Sequence, residues 1–233
     1  MTIKALQTAI MTPLEEELSS LVSYWEQLGL RKQKLDLGGL EAFAFNELSL
    51  LVARGGHGKA QFGIQAQYLL CRMPQIELLV CAGAAGALSN TLAIGDIVVS
   101  IETVEHDYNL KFVSRPLPRF QGDPQAIAAL QSLPDFSFQI QFGAIASGDE
   151  DIVTVARGQE ITQSTGCIAV AWEGAGGARA CKFSQKRYIE LRGITDTANC
   201  NAAADFAVNL TLAMNNLAQA IGQWQKMNVW GYK

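Results

Sequence analysis

The sequence predicts an α/β protein with one central sheet flanked by helices, and two observations lead to this expectation. Of the 233 residues, 49% are hydrophobic and 17% are charged, a composition typical of sheets that are covered on both faces. Apolar runs of strand length also alternate with longer segments of helical periodicity. The chain is long enough to bury a large core, and only residues 115–124 resemble a linker. We therefore expect a single domain over residues 1–233.

The elements follow from these patterns in chain order. The first helix should begin after the first strand, because Thr12 suits the N-cap, Pro13 suits the first helical position and Glu15 completes a capping box. Its apolar stripe, Leu14, Leu18, Leu21, Val22, Trp25 and Leu28, has helical spacing. The last long helix is predicted from about residue 201 to 223, and the prolines of residues 115–124 predict a loop. Strands are predicted at residues 3–10, 41–45, 48–53, 76–83, 96–104, 138–146, 166–172 and 187–195, the later ones parallel and buried.

Composition argues against several classes of function. The formal net charge of -4 gives no basic surface for nucleic acid. No apolar run reaches the length of a membrane span, and the first ten residues lack a signal-peptide pattern, so a cytoplasmic location is expected. The five cysteines have apolar neighbours and no C-x-x-C spacing, which indicates buried reduced thiols. With two histidines in the chain, we expect no zinc site, and no cofactor is indicated.

A run of small residues follows a buried strand at residues 83–86, Gly83-Ala84-Ala85-Gly86. Small residues at this place let a ligand approach the backbone, and open α/β sheets bind ligands beyond the carboxyl ends of their strands. A tight turn without any ligand would have the same composition. The motif alone therefore leaves both interpretations open.

Three acidic positions also follow predicted strands. Glu17 ends the run LEEEL, where acidic residues also complement a helix dipole; Asp196 ends a strand, where it could equally cap the next helix. Glu173 is the one carboxylate of the segment AVAWEGAGGARA. If the three converge with Arg192 nearby, they form a carboxylate-rich cleft. Such a cleft suits the cleavage of an N-glycosidic bond, which develops positive charge on the sugar and needs both an acid and a base.

These motifs together resemble the nucleoside phosphorylase superfamily, and the LEEEL run is similar to its branch of methylthioadenosine/S-adenosylhomocysteine nucleosidases. The resemblance covers nearly the whole chain. It includes GGHGKA (55–60), the block at residues 80–100, HD (106–107), ASGD (146–149), and the segments around Glu173 and Asp196. It implies a central mixed sheet that is partly closed into a barrel and flanked by helices, and a homodimer.

The resemblance also implies roles for individual residues. Glu17 matches the base that activates the attacking water, and Asp196 matches the acid that protonates N7 of the purine. Glu173, with Arg192 beside it, matches the carboxylate that holds the ribose hydroxyls. Further substrate contacts are expected from Trp172, Ala84, Ala85, Gly86, Asp151, Ile152, Thr195 and, in the pocket for the 5′ substituent, Phe112, to which the partner subunit contributes in relatives.

The chain departs from the family pattern at three of these positions. Trp172 stands where methionine is usual, Asp151 stands where an aromatic residue usually stacks on the base, and Ala84 replaces a frequent serine. The proposed bond-breaking residues are unaffected by these changes. The identity of the substrate is therefore the more open question.

The expected function is hydrolysis of a purine nucleoside such as 5′-methylthioadenosine or S-adenosylhomocysteine, with water as the second reactant. Three alternatives remain open at this point. They are a purine nucleoside phosphorylase, a nucleosidase for a futalosine-type nucleoside, and a non-catalytic relative of the storage type. The phosphorylase alternative is disfavoured because the chain lacks the N-terminal and turn arginines that hold phosphate in hexameric bacterial relatives.

Overall fold

The computed structural model describes residues 6–227, which form ten strands and six helices. The helices are α1 (Glu15–Gln27), α2 (Lys59–Arg72), α3 (Pro124–Gln131), α4 (Val155–Thr165), α5 (Gly174–Ser184) and α6 (Ala202–Lys226). The strands are β1 (Thr8–Thr12), β2 (Lys32–Lys34), β3 (Ala42–Phe45), β4 (Leu50–Arg54), β5 (Leu78–Ala87), β6 (Ile97–Glu105), β7 (Arg119–Gln121), β8 (Ile140–Ser147), β9 (Ala169–Ala171) and β10 (Arg187–Asp196).

All the described strands belong to one mixed sheet, part of which closes on itself. The sheet order is β10-β6-β8-β9-β5-β1-β4-β3-β2, with β7 paired to β6, and a further pairing joins β10 to β5. Strands β5, β10, β6, β8 and β9 therefore form a closed ring of five. Because β10 runs antiparallel to β6 and β9 antiparallel to β5, the sheet is mixed. The expected α/β fold with a partly closed barrel and flanking helices is confirmed.

The sheet is covered on both faces, which explains the continuous apolar strands. In β1, Ile10 packs into one core with Trp25 of α1, whereas Ala9 and Met11 pack into the other core with Phe62 of α2. Successive side chains of a strand point to opposite faces, so a strand between two helical layers is apolar at every position. Among the described residues, no helix is both long and apolar enough to cross a membrane.

The start of α1 differs from its prediction. Thr12 is the last residue of β1, not the N-cap, and its buried hydroxyl has no hydrogen-bond partner among the described residues. The N-cap is Leu14, whose backbone N–H donates to Glu17 Oε2 at 2.9 Å. The hydrogen bond between Leu14 and Glu17 thus takes the place of the predicted capping box of Thr12 and Glu15. In the apolar stripe Leu28 is exposed and Leu14 is only partly buried.

Other expectations from the sequence also need correction. Residues 115–124 are not entirely loop, because β7 lies within them and α3 begins at Pro124. Strand β2 was not predicted, since its three residues are all exposed and polar. The cysteines are all free, as expected, but Cys71 and Cys200 are exposed.

Candidate active site

A cavity of about 370 Å³ lies where several strands end. Its wall is built from residues at or just after the carboxyl ends of β1, β4, β5, β8, β9 and β10. A cavity of this size falls within the range of small-molecule sites. The residues that line it are Pro13, Leu14, Glu17, His57, Ala84, Ala85, Gly86, Glu150, Asp151, Ile152, Val153, Val170, Ala171, Trp172, Glu173, Arg192, Thr195, Asp196, Ala198, Ala202, Ala203 and Phe206.

Glu17 is held in the cavity wall by two backbone donors. The N–H of Ala84 donates to Oε1 at 2.7 Å and the N–H of Leu14 donates to Oε2 at 2.9 Å. The side chain is 2% exposed, whereas its neighbours Glu15 and Glu16 point to solvent. Burial raises the pKa of Glu17 to about 7, and the nearby negative charge of Glu173 adds to the increase. A carboxyl with this pKa is a competent base near neutral pH.

Asp196, the last residue of β10, has both of its oxygens fixed by neighbours. Thr195 Oγ1 donates to Oδ2 at 2.9 Å, and the N–H of Ala198 donates to Oδ1 at 2.9 Å. Asp196 does not cap α6, whose N-cap is Asn201. Burial raises the pKa of Asp196 above its ordinary value, which favours the protonated form that a general acid requires.

Glu173 lies immediately before α5 and accepts a hydrogen bond on each of its two carboxylate oxygens. Gly58 donates its N–H to Oε1 at 3.2 Å, and Arg192 donates from a terminal guanidinium nitrogen to Oε2 at 3.2 Å. Arg192, 1% exposed, also donates from Nε to Glu190 Oε1 at 2.8 Å. The guanidinium is therefore shared between two buried carboxylates and fixes the direction in which Glu173 points.

The small residues around Glu173 allow helix α5 to pack closely against the site. A Cβ on Gly174 would lie 2.2 Å from Glu190 Oε2, and a Cβ on Gly176 would lie 2.2 Å from the carbonyl oxygen of Lys59. Both contacts are far shorter than van der Waals distance. The glycines of this segment therefore place the helix, and Glu173 is the one charged group at its start.

The glycines of β5 have a similar role at the opposite wall. A Cβ on Gly83 would meet Glu17 Oε1 at 2.7 Å, and one on Gly86 would meet Asp196 Oδ1 at 2.8 Å. Each glycine thus leaves the room that one of the two buried carboxyl groups occupies. The run 83–86 lies within strand β5 between Glu17 and Asp196, so the alternative of a tight turn is wrong.

His57 completes the wall on the side of Glu173 that faces away from Arg192. Its Nδ1 lies 3.5 Å from Glu173 Oε1, and its ring packs on the indole of Trp172 with 4.2 Å between ring centroids. The imidazole is 53% exposed. No role was predicted for His57, because a single histidine in a glycine-rich loop carries little signal by itself.

The structure brings almost all of the candidate residues to this one cavity. Phe112 is the exception, since it is fully exposed and does not line the cavity. Conversely, Phe206 of α6 lines the cavity without having been predicted. Phe206 could not be recognised as a site residue from the sequence, because an aromatic residue at helical spacing usually belongs to the core. Among the described residues, no group of three metal-ligating side chains could hold a metal ion.

The fold and the site together define a class of protein. It is an α/β domain with a partly closed mixed sheet, in which buried carboxyl groups surround a cavity at the strand ends. The family model of the phosphorylase superfamily matches residues 7–223. The chain therefore belongs to the phosphorylase superfamily.

Individual relatives match most of the length of the chain. It is 27% identical over 214 residues to the 5′-methylthioadenosine/S-adenosylhomocysteine nucleosidase of Shewanella pealeana, which covers 86% of this chain and 90% of the relative. The corresponding nucleosidase of S. pneumoniae, solved with a transition-state inhibitor, matches with a TM-score of 0.81 and 25% identity over 94% of this chain and 98% of that one. The futalosine hydrolase of Helicobacter pylori matches with a TM-score of 0.85 over 95% and 98% of the two chains; at 22% identity this likeness shows the fold alone.

Proposed function

We propose that this protein hydrolyses the N-glycosidic bond of a purine nucleoside such as 5′-methylthioadenosine or S-adenosylhomocysteine, and releases adenine. The observation that carries this proposal is the pair Glu17 and Asp196, two buried carboxyl groups with raised pKa values on one cavity. Cleavage of this bond requires a base for the water and an acid for the leaving purine. The names of the relatives point to the same reaction.

Each side chain has one task in the proposed reaction. Asp196 donates a proton to N7 of the purine, so that the base leaves as a neutral molecule. Glu17 accepts a proton from the attacking water. Glu173 accepts hydrogen bonds from the ribose hydroxyls, and its negative charge stabilises the cation that develops on the sugar ring. Arg192 holds Glu173 in place, and we assign it no contact with the reacting atoms.

The charges around the cavity favour water over phosphate as the nucleophile. Among the residues that line it, only Arg192 and His57 can carry a positive charge. Arg192 is already engaged by Glu190 and Glu173. Phosphate binding needs several free donors and cations, and the carboxylate of Glu17 would repel the anion. This set of charges supports a nucleosidase over a phosphorylase.

We propose that the purine lies between Asp196 and the loop after β8, where Asp151 and Ile152 line the cavity. Asp151 supplies no aromatic face for stacking. Phe206 lines the same cavity and is the aromatic residue that supports base binding in this proposal. Trp172, Ala84, Ala85, Gly86 and Thr195 complete the substrate-binding set.

We further propose that the protein is a cytoplasmic homodimer that acts in nucleoside catabolism and methionine salvage. Large exposed apolar side chains support a subunit interface, among them Ile64 of α2, Phe183 of α5 and Phe112. In a dimer, Phe112 would contribute to the pocket for the 5′ substituent across the interface. Five free cysteines support a reducing compartment. Light scattering with Phe183→Ser as the test variant checks the interface.

A panel of nucleosides tests the proposed activity. The panel contains 5′-methylthioadenosine, S-adenosylhomocysteine, adenosine, inosine and a futalosine-type nucleoside, and the released base is measured by chromatography. We expect rapid release of adenine from at least one 5′-thio nucleoside, and release reduced at least a hundredfold by Asp196→Asn. If no member of the panel loses its base, the proposal is wrong.

A further inference from the structure

We propose that His57 is a positioning residue that holds Glu173 toward the ribose hydroxyls, and that Trp172 holds His57 in that place. The inference rests on the proposed function, because it concerns how Glu173 receives the sugar. His57 lines the cavity, and the proposed reaction does not by itself explain why a histidine lies there against Glu173 and Trp172.

The contacts of Glu173 come from opposite directions. On one side Arg192 engages Oε2 at 3.2 Å. On the other side Gly58 donates to Oε1 at 3.2 Å, and His57 Nδ1 lies 3.5 Å from the same oxygen. The Glu173 side chain is 4% exposed, so that water does little to orient it. The loop of His57 and Gly58 is therefore the counterpart of Arg192 in setting the plane of the carboxylate.

His57 is exposed but is held in place. Its ring lies against Trp172 at 4.2 Å between centroids and at an angle of 33°. Lys59, two residues further along the chain, anchors the loop, since its N–H donates to Asp149 Oδ1 at 2.8 Å and its ammonium group pairs with Asp107 and Glu105. Gly58 has a φ of +81°, a conformation that glycine adopts without strain. An imidazole fixed by stacking loses little additional freedom when it contacts the carboxylate.

The number of acceptor positions on Glu173 gives the contact a functional consequence. A carboxylate offers about four acceptor positions. Gly58 and Arg192 each donate one hydrogen bond and fill two of these positions, so about two remain for the ribose hydroxyls, and His57, 3.5 Å from Oε1, limits how far the carboxylate can turn. Without His57, Oε1 is restrained by Gly58 alone, and the carboxylate can turn away from the hydroxyl. The loss of kcat/KM on replacing His57 should therefore depend on whether the substrate has ribose hydroxyls.

The test compares 5′-methylthioadenosine with its 2′,3′-dideoxy analogue, which has the same base and the same 5′ group. In His57→Phe the ring can still stack on Trp172, but the nitrogen that faces Glu173 is gone. We expect kcat/KM for the riboside to fall about three- to tenfold, as for a partly exposed polar contact, and that for the dideoxy analogue to change less than about twofold. His57→Asn, whose amide nitrogen is attached to Cγ as Nδ1 is in histidine, should recover part of the loss, because it restores the nitrogen but not the ring contact with Trp172. Melting temperatures of both variants should match the wild type.

Binding of the two nucleosides to an Asp196→Asn background, measured by calorimetry, gives a second readout that does not need turnover. It should show the same difference between riboside and dideoxy analogue when His57→Phe is added. Equal losses on both nucleosides, or no loss on the riboside, overturn the positioning role while the nucleosidase assignment stands. A protein that neither binds nor hydrolyses these nucleosides overturns the proposed function and this inference together.

Discussion

Glu17→Gln should inactivate the protein and at the same time stabilise it at alkaline pH. The pKa of Glu17 is raised from 4.5 to about 7 because burial disfavours the carboxylate. Since the folded-state pKa lies above the unfolded value, the folded state binds the proton more tightly. The loss of folding stability caused by ionising Glu17 is thus absent below about pH 4.5, grows as the pH rises, and is complete once the pH has passed through 7.

The size of the effect follows from these two values. A difference of one pKa unit corresponds to about 1.4 kcal/mol, so the ionised carboxylate costs the fold about 3 kcal/mol at pH 8. Glutamine avoids this cost but can accept from only one of the two backbone donors, Leu14 and Ala84, which costs about 1 kcal/mol. The net gain is about 2 kcal/mol, or roughly 4–8 °C in melting temperature for a chain of this length.

Thermal unfolding of wild type and Glu17→Gln at pH 5 and pH 8, with Glu16→Gln as the exposed control, measures this difference. We expect the advantage of Glu17→Gln to appear at pH 8 and to vanish at pH 5, and its turnover to fall about 10²–10⁴-fold. Glu16→Gln should be close to wild type in both assays. An advantage that is the same at both pH values would refute the argument that burial of a charge at Glu17 opposes folding.

Three further variants test the remaining groups. Asp196→Asn should lower the rate of base release about 10²–10⁴-fold while nucleoside binding measured by calorimetry survives; retention of more than about a third of the turnover would remove the acid role. Glu173→Gln should lower kcat/KM about 10–100-fold, because a hydrogen bond to a charged group is lost, and an unchanged kcat/KM would place the ribose elsewhere. Asp151→Phe should tighten binding of 5′-methylthioadenosine, since stacking of a base on an aromatic ring contributes roughly 1–3 kcal/mol; an unchanged Kd would show that Asp151 does not face the base.

The convergence of the site could be predicted from the sequence because strand ends determine it. Glu173 and Asp196 each follow an apolar run, and Glu17 follows β1 by a few residues. Side chains at the carboxyl ends of neighbouring strands lie at one edge of a sheet. The apolar strands were predictable for a related reason, since strands buried on both faces contain few polar residues to interrupt the pattern.

The missed features depend on contacts between distant parts of the chain. His57 gains its significance only from Glu173 and Trp172, which lie beyond β5, β6 and β8 in the sequence. Strand β2 has the residues Lys-Gln-Lys and is held by pairing with β3, not by any apolar face of its own. The start of α1 was misassigned because Glu17, and not Glu15, accepts the hydrogen bond from the backbone N–H of the N-cap residue Leu14. The sequence pattern of LEEEL does not show which of its three glutamates has this role.

The most direct test of the central claim, that water is the nucleophile, is to follow the sugar product in phosphate-free buffer. Purified protein is incubated with 5′-methylthioadenosine, with and without added phosphate, and the sugar is identified by mass spectrometry. We expect the free 5-methylthioribose at the same rate in both buffers, because Glu17 activates water and the two residues of the cavity lining that can be cationic, Arg192 and His57, already face carboxylates. A reaction that requires phosphate and yields the sugar 1-phosphate would contradict both the nucleosidase assignment and the role of Glu17.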